Sequence, residues 1–235
     1  MTDSNILGVI YSYAYVTSVL IVSFFLSKFT KMQSEFIRKF VHILVSNWWF
    51  IYAEYFTDMI YSIIVPVTFI IVNAVATFTN FTDKLRLTER TRNYGLIYFP
   101  ISLTLLSIFQ HYFHVLPKFA VGIGILTMGY GDGLAAIIGI KIGKHKIKLG
   151  SLSGNKSYQG SGVMFLTTFC VLISFVKYYH ISTLYLAESS FINLVLLWKL
   201  IFISLIVTVA EATTPLGLDN ISVPLMAAFL SAYML

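Results

Sequence analysis

Apolar residues in this chain do not alternate with polar ones. They run on continuously, in eight stretches at residues 6–26, 40–53, 59–78, 95–109, 119–140, 160–176, 191–210 and 221–235. Residues 6–26 and 59–78 contain no charged side chain. Each of those two is about 20 residues long, which at ~1.5 Å per helical residue matches a hydrocarbon core of ~30 Å. Backbone amides in lipid must be satisfied within their own segment or in a closed barrel, and barrel strands alternate in hydrophobicity. Unbroken apolar runs therefore predict an all-α, polytopic membrane bundle of about eight transmembrane helices. Residues 6–26 are not read as a secretory signal. No basic residue precedes them, and Ser27-Lys28-Phe29 is a poor cleavage site, so they are expected to persist as a first helix.

Composition sharpens the exclusion of a water-soluble fold. Of 235 residues, 57% are hydrophobic and 11% charged, with a mean hydropathy of +0.82. A soluble domain carries about 25% charged residues, so a water-facing surface cannot be covered here. The single cysteine, Cys170, falls within an apolar stretch and reads as a small packing residue. No domain boundary, repeat or low-complexity segment breaks the chain, and residues 1–235 read as one membrane unit.

Thirteen of the sixteen Lys and Arg residues fall into three groups. Lys28, Lys31, Arg38 and Lys39 separate the first two stretches; Lys84, Arg86, Arg90 and Arg92 separate the third and fourth; Lys141, Lys144, Lys146, Lys148 and Lys156 separate the fifth and sixth. The intervening connections, residues 54–58, 110–118 and 180–190, hold only Lys118. By the positive-inside rule the basic loops are cytoplasmic, and an even number of spans leaves both termini outside. The net charge of +6 is accounted for by this topology and by contact with anionic lipid, and no nucleic-acid partner is expected.

Four polar clusters remain unexplained by topology. Asp132 lies in Gly129-Tyr130-Gly131-Asp132-Gly133 near the end of the fifth stretch. A carboxylate there is costly unless it meets a cation, a metal or water, although a tight glycine turn with Asp132 as a surface cap is an alternative. The loop at residues 141–161 combines Gly, Ser and Lys, the amides, hydroxyls and point charges that hold phosphate. It is not a P-loop: Asn155 separates Gly154 from Lys156, and only three residues separate Gly150 from Gly154. Glu211 to Pro224 brings Glu211, Asp219 and Asn220 to the same predicted face, where Asp219 either caps the last helix or adds a carboxylate to a Mg²⁺ site. Arg38 and His42 sit four apart, on one helical face. Lys199, inside the seventh stretch, has no role beyond snorkelling or a helix–helix hydrogen bond.

These clusters, in this order, resemble the polyprenol kinase family, which includes dolichol, phytol and farnesol kinases and a CTP-dependent diacylglycerol kinase. The resemblance rests on Arg38-Lys39-Phe-Val-His42, on Gly131-Asp132-Gly-Leu-Ala135-Ala-Ile-Ile-Gly139-Ile-Lys-Ile-Gly143-Lys144, on Lys156-Ser157-Tyr-Gln-Gly160-Ser161 and on Asp219-Asn220-Ile-Ser-Val-Pro224. Arg92-Asn-Tyr94-Gly95-Leu-Ile-Tyr98 is similar to the phytol kinase branch, and the similarity extends over residues 35–224. The same core resembles CDP-diacylglycerol synthase, but the His-Gly-Gly and Arg of that family's terminal element are missing around Asp219.

The resemblance implies transfer of the γ-phosphate of CTP to a membrane lipid alcohol at the cytoplasmic face. Asp132, Lys156, Asp219 and His42 are then the catalytic set. Arg38, Lys39, Gly131, Lys144, Lys156, Ser157 and Asn220 bind nucleotide or phosphate, and Asp132, Asp219 and Glu211 hold Mg²⁺. A phosphatidate cytidylyltransferase and a small lipid transporter are the alternatives. Nothing in the sequence fixes the oligomeric state or the particular alcohol.

Overall fold

The computed structural model describes residues 2–30, 34–79, 94–147, 156–181 and 194–235. Lys31, Lys84, Arg86, Arg90, Arg92 and Lys148, like residues 148–155 of the Gly/Ser/Lys loop, lie outside the described residues. The helices are α1 (Thr2–Phe29), α2 (Ser34–Ser46), α3 (Trp48–Tyr55), α4 (Met59–Phe78), α5 (Gly95–His111), α6 (Lys118–Leu126), α7 (Gly133–Ile142), α8 (Tyr158–Tyr178), α9 (Leu194–Thr213) and α10 (Asp219–Met234). Among the described residues there is no β-strand, only an isolated antiparallel bridge between Lys146 and Ser157. The protein is an all-α polytopic membrane bundle. Among the described residues each of the eight apolar stretches is helical, and five helical segments are long and apolar enough to cross a membrane: Asp3–Phe29, Met59–Phe78, Lys118–Ile142, Tyr158–Tyr178 and Leu194–Thr213.

The second stretch is divided where a side chain competes with the helix. The Asn47 amide nitrogen donates to the Ile43 carbonyl, its Oδ1 accepts the Tyr130 hydroxyl, and α2 stops one residue earlier. Asp58 starts α4 by accepting from the Ile60 amide at 2.9 Å, a helix cap of the ordinary kind.

Lys118–Ile142 is the central helix. Of its apolar stretch 61% is buried, against 22% for α1 and 17% for α4, which turn most of their side chains outward. It runs through α6, a π-helical turn at Thr127–Asp132, and α7 without interruption. Asp132 is therefore not a cap on a surface turn; it projects from a buried, widened turn of helix. Close approach of the neighbouring helices depends on small residues. A Cβ at Gly129 would overlap Ser46 of α2, one at Gly133 would overlap Ile43, and one at Gly124 would meet the Pro224 carbonyl of α10. That intimacy lets side chains from α2 and α10 reach the same point on the central helix.

The two ends of the bundle differ in chemistry. At one end Ser4 donates to the Tyr55 carbonyl, Asn5 meets Thr57, Tyr52 meets Gln110 and Lys118 donates to the Ala53 carbonyl. Those contacts occupy the lone basic residue of the charge-poor connections. Lys199, on α9, donates to the Met234 carbonyl at the close of α10, so it serves as a C-terminal helix cap. The opposite end gathers the start of α2, the end of the central helix, the start of α8, the end of α9 and the start of α10. All the conspicuous buried charge lies there.

Candidate active site

Three carboxylates from three helices converge at that end. Asp132 comes from the π turn, Glu211 from the last turn of α9 and Asp219 from the first residue of α10, and all three are buried. One oxygen from each lies within 4.8 Å of the others. Like charges at that separation repel by about 3 kcal/mol per pair at an effective dielectric constant of ~20, so the group needs cations to exist. The structure supplies two. Lys39 Nζ reaches Asp132 Oδ2 at 2.5 Å, and Lys156 Nζ lies 2.9 Å from both Glu211 Oε1 and Asp219 Oδ2. Lys156 also donates to the Glu211 carbonyl. Burial alone would lower the Lys156 pKa, but the Asp219 and Glu211 carboxylates outweigh it and raise it, so the ammonium stays charged.

The backbone geometry before α10 places Asp219. Leu216 and Gly217 adopt left-handed conformations (φ 61° and 79°), and the Gly217 carbonyl accepts from both the Asn220 amide and its side chain. That turn presents Asp219 at the positive end of the α10 dipole. Leu218, not Asp219, holds the cap position, and no side chain caps the helix. Capping therefore does not explain the acid. Its Oδ1 accepts from the Asn220 backbone amide at 3.0 Å and from the Asn220 side chain at 3.1 Å, and its Oδ2 faces Lys156.

Arg38 and His42 stand one turn apart on α2, on the flank of this cluster. Arg38 pairs with Glu35 at 2.5 Å, yet its Nε is buried without a partner. The His42 ring packs on Phe99 with centroids 4.1 Å apart, and its Nε2 is likewise buried and unpaired. Both residues line an apolar cavity of about 100 Å³ between α1, α2, α4 and α5.

No protein-family model matches the chain, and no solved structure matches it significantly. Two curated proteins do. A phytol kinase from Synechocystis sp. is 30% identical over 143 residues, covering 59% of this chain and 54% of that protein, so the match spans about half of the relative's length. The chloroplastic phytol kinase 1 of Arabidopsis thaliana is 30% identical over 231 residues, covering 92% of this chain and 71% of that protein. The chain belongs to the polyprenol and phytol kinase family.

For a member of this family, most of the residues singled out from sequence fall together: Asp132, Glu211, Asp219, Lys39, Lys156 and Asn220 form one connected cluster, with Arg38 and His42 beside it. Four do not behave as expected. A Cβ on Gly131 would strike Met164 Sδ, so this glycine makes room for α8. Ser157 is the N-cap of α8: its Oγ accepts from the Gly160 amide at 3.2 Å, leaving only its O–H free to donate elsewhere. Lys144 is exposed beyond the end of α7, apart from the buried cluster. Lys39 pairs directly with Asp132, where phosphate binding had been expected of it. The cavity was not foreseen, although Asn73, a lone amide in the apolar α4 that lines it, is the kind of intramembrane polar residue that marks such a place.

Proposed function

We propose that this protein phosphorylates a membrane-dissolved isoprenoid alcohol of the phytol type, using CTP, on the cytoplasmic face of the membrane. The observation that carries the reading is the buried group Asp132, Glu211 and Asp219 with its two lysines, next to a cavity lined by apolar side chains. The names of the two relatives supply the reaction class and the acceptor. CTP as donor follows from the motif resemblance. The cytoplasmic orientation follows from the basic residues that surround this end of the bundle.

Mg²⁺ fits the donor set. Three carboxylates within 4.8 Å are an all-oxygen, hard-ligand group, and against two ammonium groups they leave one negative charge uncompensated. Asp132, Glu211 and Asp219 would hold the ion, which when bound neutralises charge on the donor phosphates. The remaining work is done by the chain's own side chains. Lys156, released in part from its two carboxylates, holds a donor phosphate oxygen; Arg38 holds another; Lys39 fixes the Asp132 carboxylate in the π turn. Asn220 fixes Asp219 through two hydrogen bonds. In the transfer, the alcohol oxygen forms a bond to the γ-phosphorus as the bond from that phosphorus to the β-bridging oxygen breaks. CDP leaves with the bonding pair, and the hydroxyl proton passes to His42 Nε2. The product is a lipid phosphomonoester.

An acceptor panel tests this. Detergent-solubilised protein is supplied with phytol, farnesol, a polyprenol or diacylglycerol and with CTP or ATP. Phytol with CTP is expected to give the highest kcat/KM. A preference for phosphatidate, with cytidine found on the lipid by mass spectrometry, would move the chain to cytidylyl transfer.

A further inference from the structure

The cavity between α1, α2, α4 and α5 shares Arg38 and His42 with the phosphoryl-transfer machinery and extends away from it. Its walls are apolar, including Val16 and Leu20 of α1, Val65 of α4, and Phe99 and Leu103 of α5. Apolar cavities of this size stay dry and take hydrocarbon. Its polar contribution comes chiefly from α2, where the His42 Nε2 and the Arg38 Nε are both buried and unpaired. Unsatisfied buried polar atoms are rare in folded proteins, and two side by side at the rim of an apolar cavity ask for a polar ligand atom. Arg38 also marks the way to the carboxylates: a Cβ on Gly95 would lie 3.2 Å from Asn220 Nδ2 and 3.7 Å from Arg38 Nη1, so Arg38 and the hydrogen-bond partner of Asp219 both border Gly95. At the other side, Leu20 lines the cavity and is 41% exposed on the outward face of α1, which gives a long chain an exit toward lipid.

The geometry points to this cavity as the acceptor subsite: it holds the hydroxyl-bearing end of the alcohol's hydrocarbon chain, with the hydroxyl between His42 and Arg38 and the tail leaving past Leu20. A bilayer acyl chain fits the walls equally well but ends in a methyl group and leaves both nitrogens unpaired. A chain ending in a hydroxyl satisfies them, accepting from Arg38 Nε–H and bonding to His42 Nε2. This inference rests on the proposed lipid-alcohol kinase activity and deepens it, because it makes the residues of α4 and α5 the determinants of acceptor shape. A methyl branch near the hydroxyl needs width where Val65 and Leu103 stand.

Two substitutions in opposite directions test it. Val65→Phe narrows the cavity and is expected to lower the ratio of kcat/KM for phytol to that for hexadecanol at least tenfold. Leu103→Ala widens it and is expected to raise acceptance of bulkier branched alcohols several-fold. Neither should change the KM for nucleotide by more than twofold. If Val65→Phe fails to fold, judged by thermal melting in detergent, Leu103→Ala decides alone. Unchanged acceptor ratios in folded variants would overturn the subsite. A phytol analogue carrying a diazirine near its hydroxyl separates this failure from failure of the kinase reading. Without nucleotide, the photoproduct is expected on α4 and α5 around residues 65 and 103, whether or not the wild type turns over. Labelling confined to the outward faces of α1 and α4 would refute it.

Discussion

Replacement of either Asp132 or Asp219 by Asn is expected to leave a folded protein whose turnover falls by two to three decades. An amide keeps the size and one acceptor oxygen but removes the charge that a hard divalent cation requires. Loss of a charge-stabilising contact of ~3–4 kcal/mol is enough for that decline. The double substitution should cost little more than either single one, because each disables the same site. Folding survives for a reason visible in the structure. Without the Asp219 charge, Lys156 still pairs with Glu211; without the Asp132 charge, the buried Lys39 keeps an amide oxygen at that position to donate to. The check is initial rate against Mg²⁺ concentration for both variants, beside thermal melting in detergent. Near-normal turnover of Asp219→Asn would retire Asp219 as a ligand and leave Asp132 to share an ion with Glu211 alone.

The second large effect concerns Lys156. It sits between Glu211 and Asp219 at 2.9 Å from each, and among the described residues it is the one ammonium that touches two of the three acids. Lys156→Met removes that charge and leaves two buried carboxylates facing one another. Breaking a buried pair by removing one partner costs ~3–5 kcal/mol. Melting should therefore drop by several degrees without Mg²⁺ and recover substantially when Mg²⁺ is added, since the ion takes over part of the neutralisation. Activity should not recover with it. A phosphate oxygen loses its donor, and kcat/KM for the nucleotide is expected to fall about a hundredfold or more. A purely structural lysine gives a different pattern, in which Mg²⁺ restores both melting and turnover.

Much of this was readable in the chain, and the reasons differ residue by residue. Helix content and the apolar segments follow from unbroken hydrophobic runs, since nothing else satisfies backbone groups in lipid. Asp132 stands out because an acid in an apolar stretch demands an explanation, and Glu211, one residue past the seventh stretch, through its company with Asp219 and Asn220. Asp219 was ambiguous in sequence, where a capping role was equally natural; the observed cap at Leu218 and the Lys156 contact remove that role. What sequence could not carry is mutual orientation. Gly131 and Gly133 are two residues apart, yet one faces Met164 and the other Ile43, so each glycine beside the acid makes room for a different neighbouring helix. The motif resemblance assigns Lys39 to phosphate, and its pairing with Asp132 follows only from the way α2 presses against the π turn. The break at Asn47 depends on a hydroxyl 83 positions away, that of Tyr130. The cavity draws on five helices, with Trp48 of α3 beside α1, α2, α4 and α5, and no spacing within any one of them announces it.

The central claim is transfer of a terminal phosphate to a lipid hydroxyl by the Asp132, Glu211, Asp219 and Lys156 group. It is tested most directly by following the label from CTP carrying ³²P in the γ position or in the α position, in detergent micelles with phytol and Mg²⁺. The account predicts chloroform-soluble label from γ-labelled CTP only, with CDP released, and loss of that product in Asp132→Asn. Chloroform-soluble label from α-labelled CTP, or no transfer to any lipid alcohol, would contradict it.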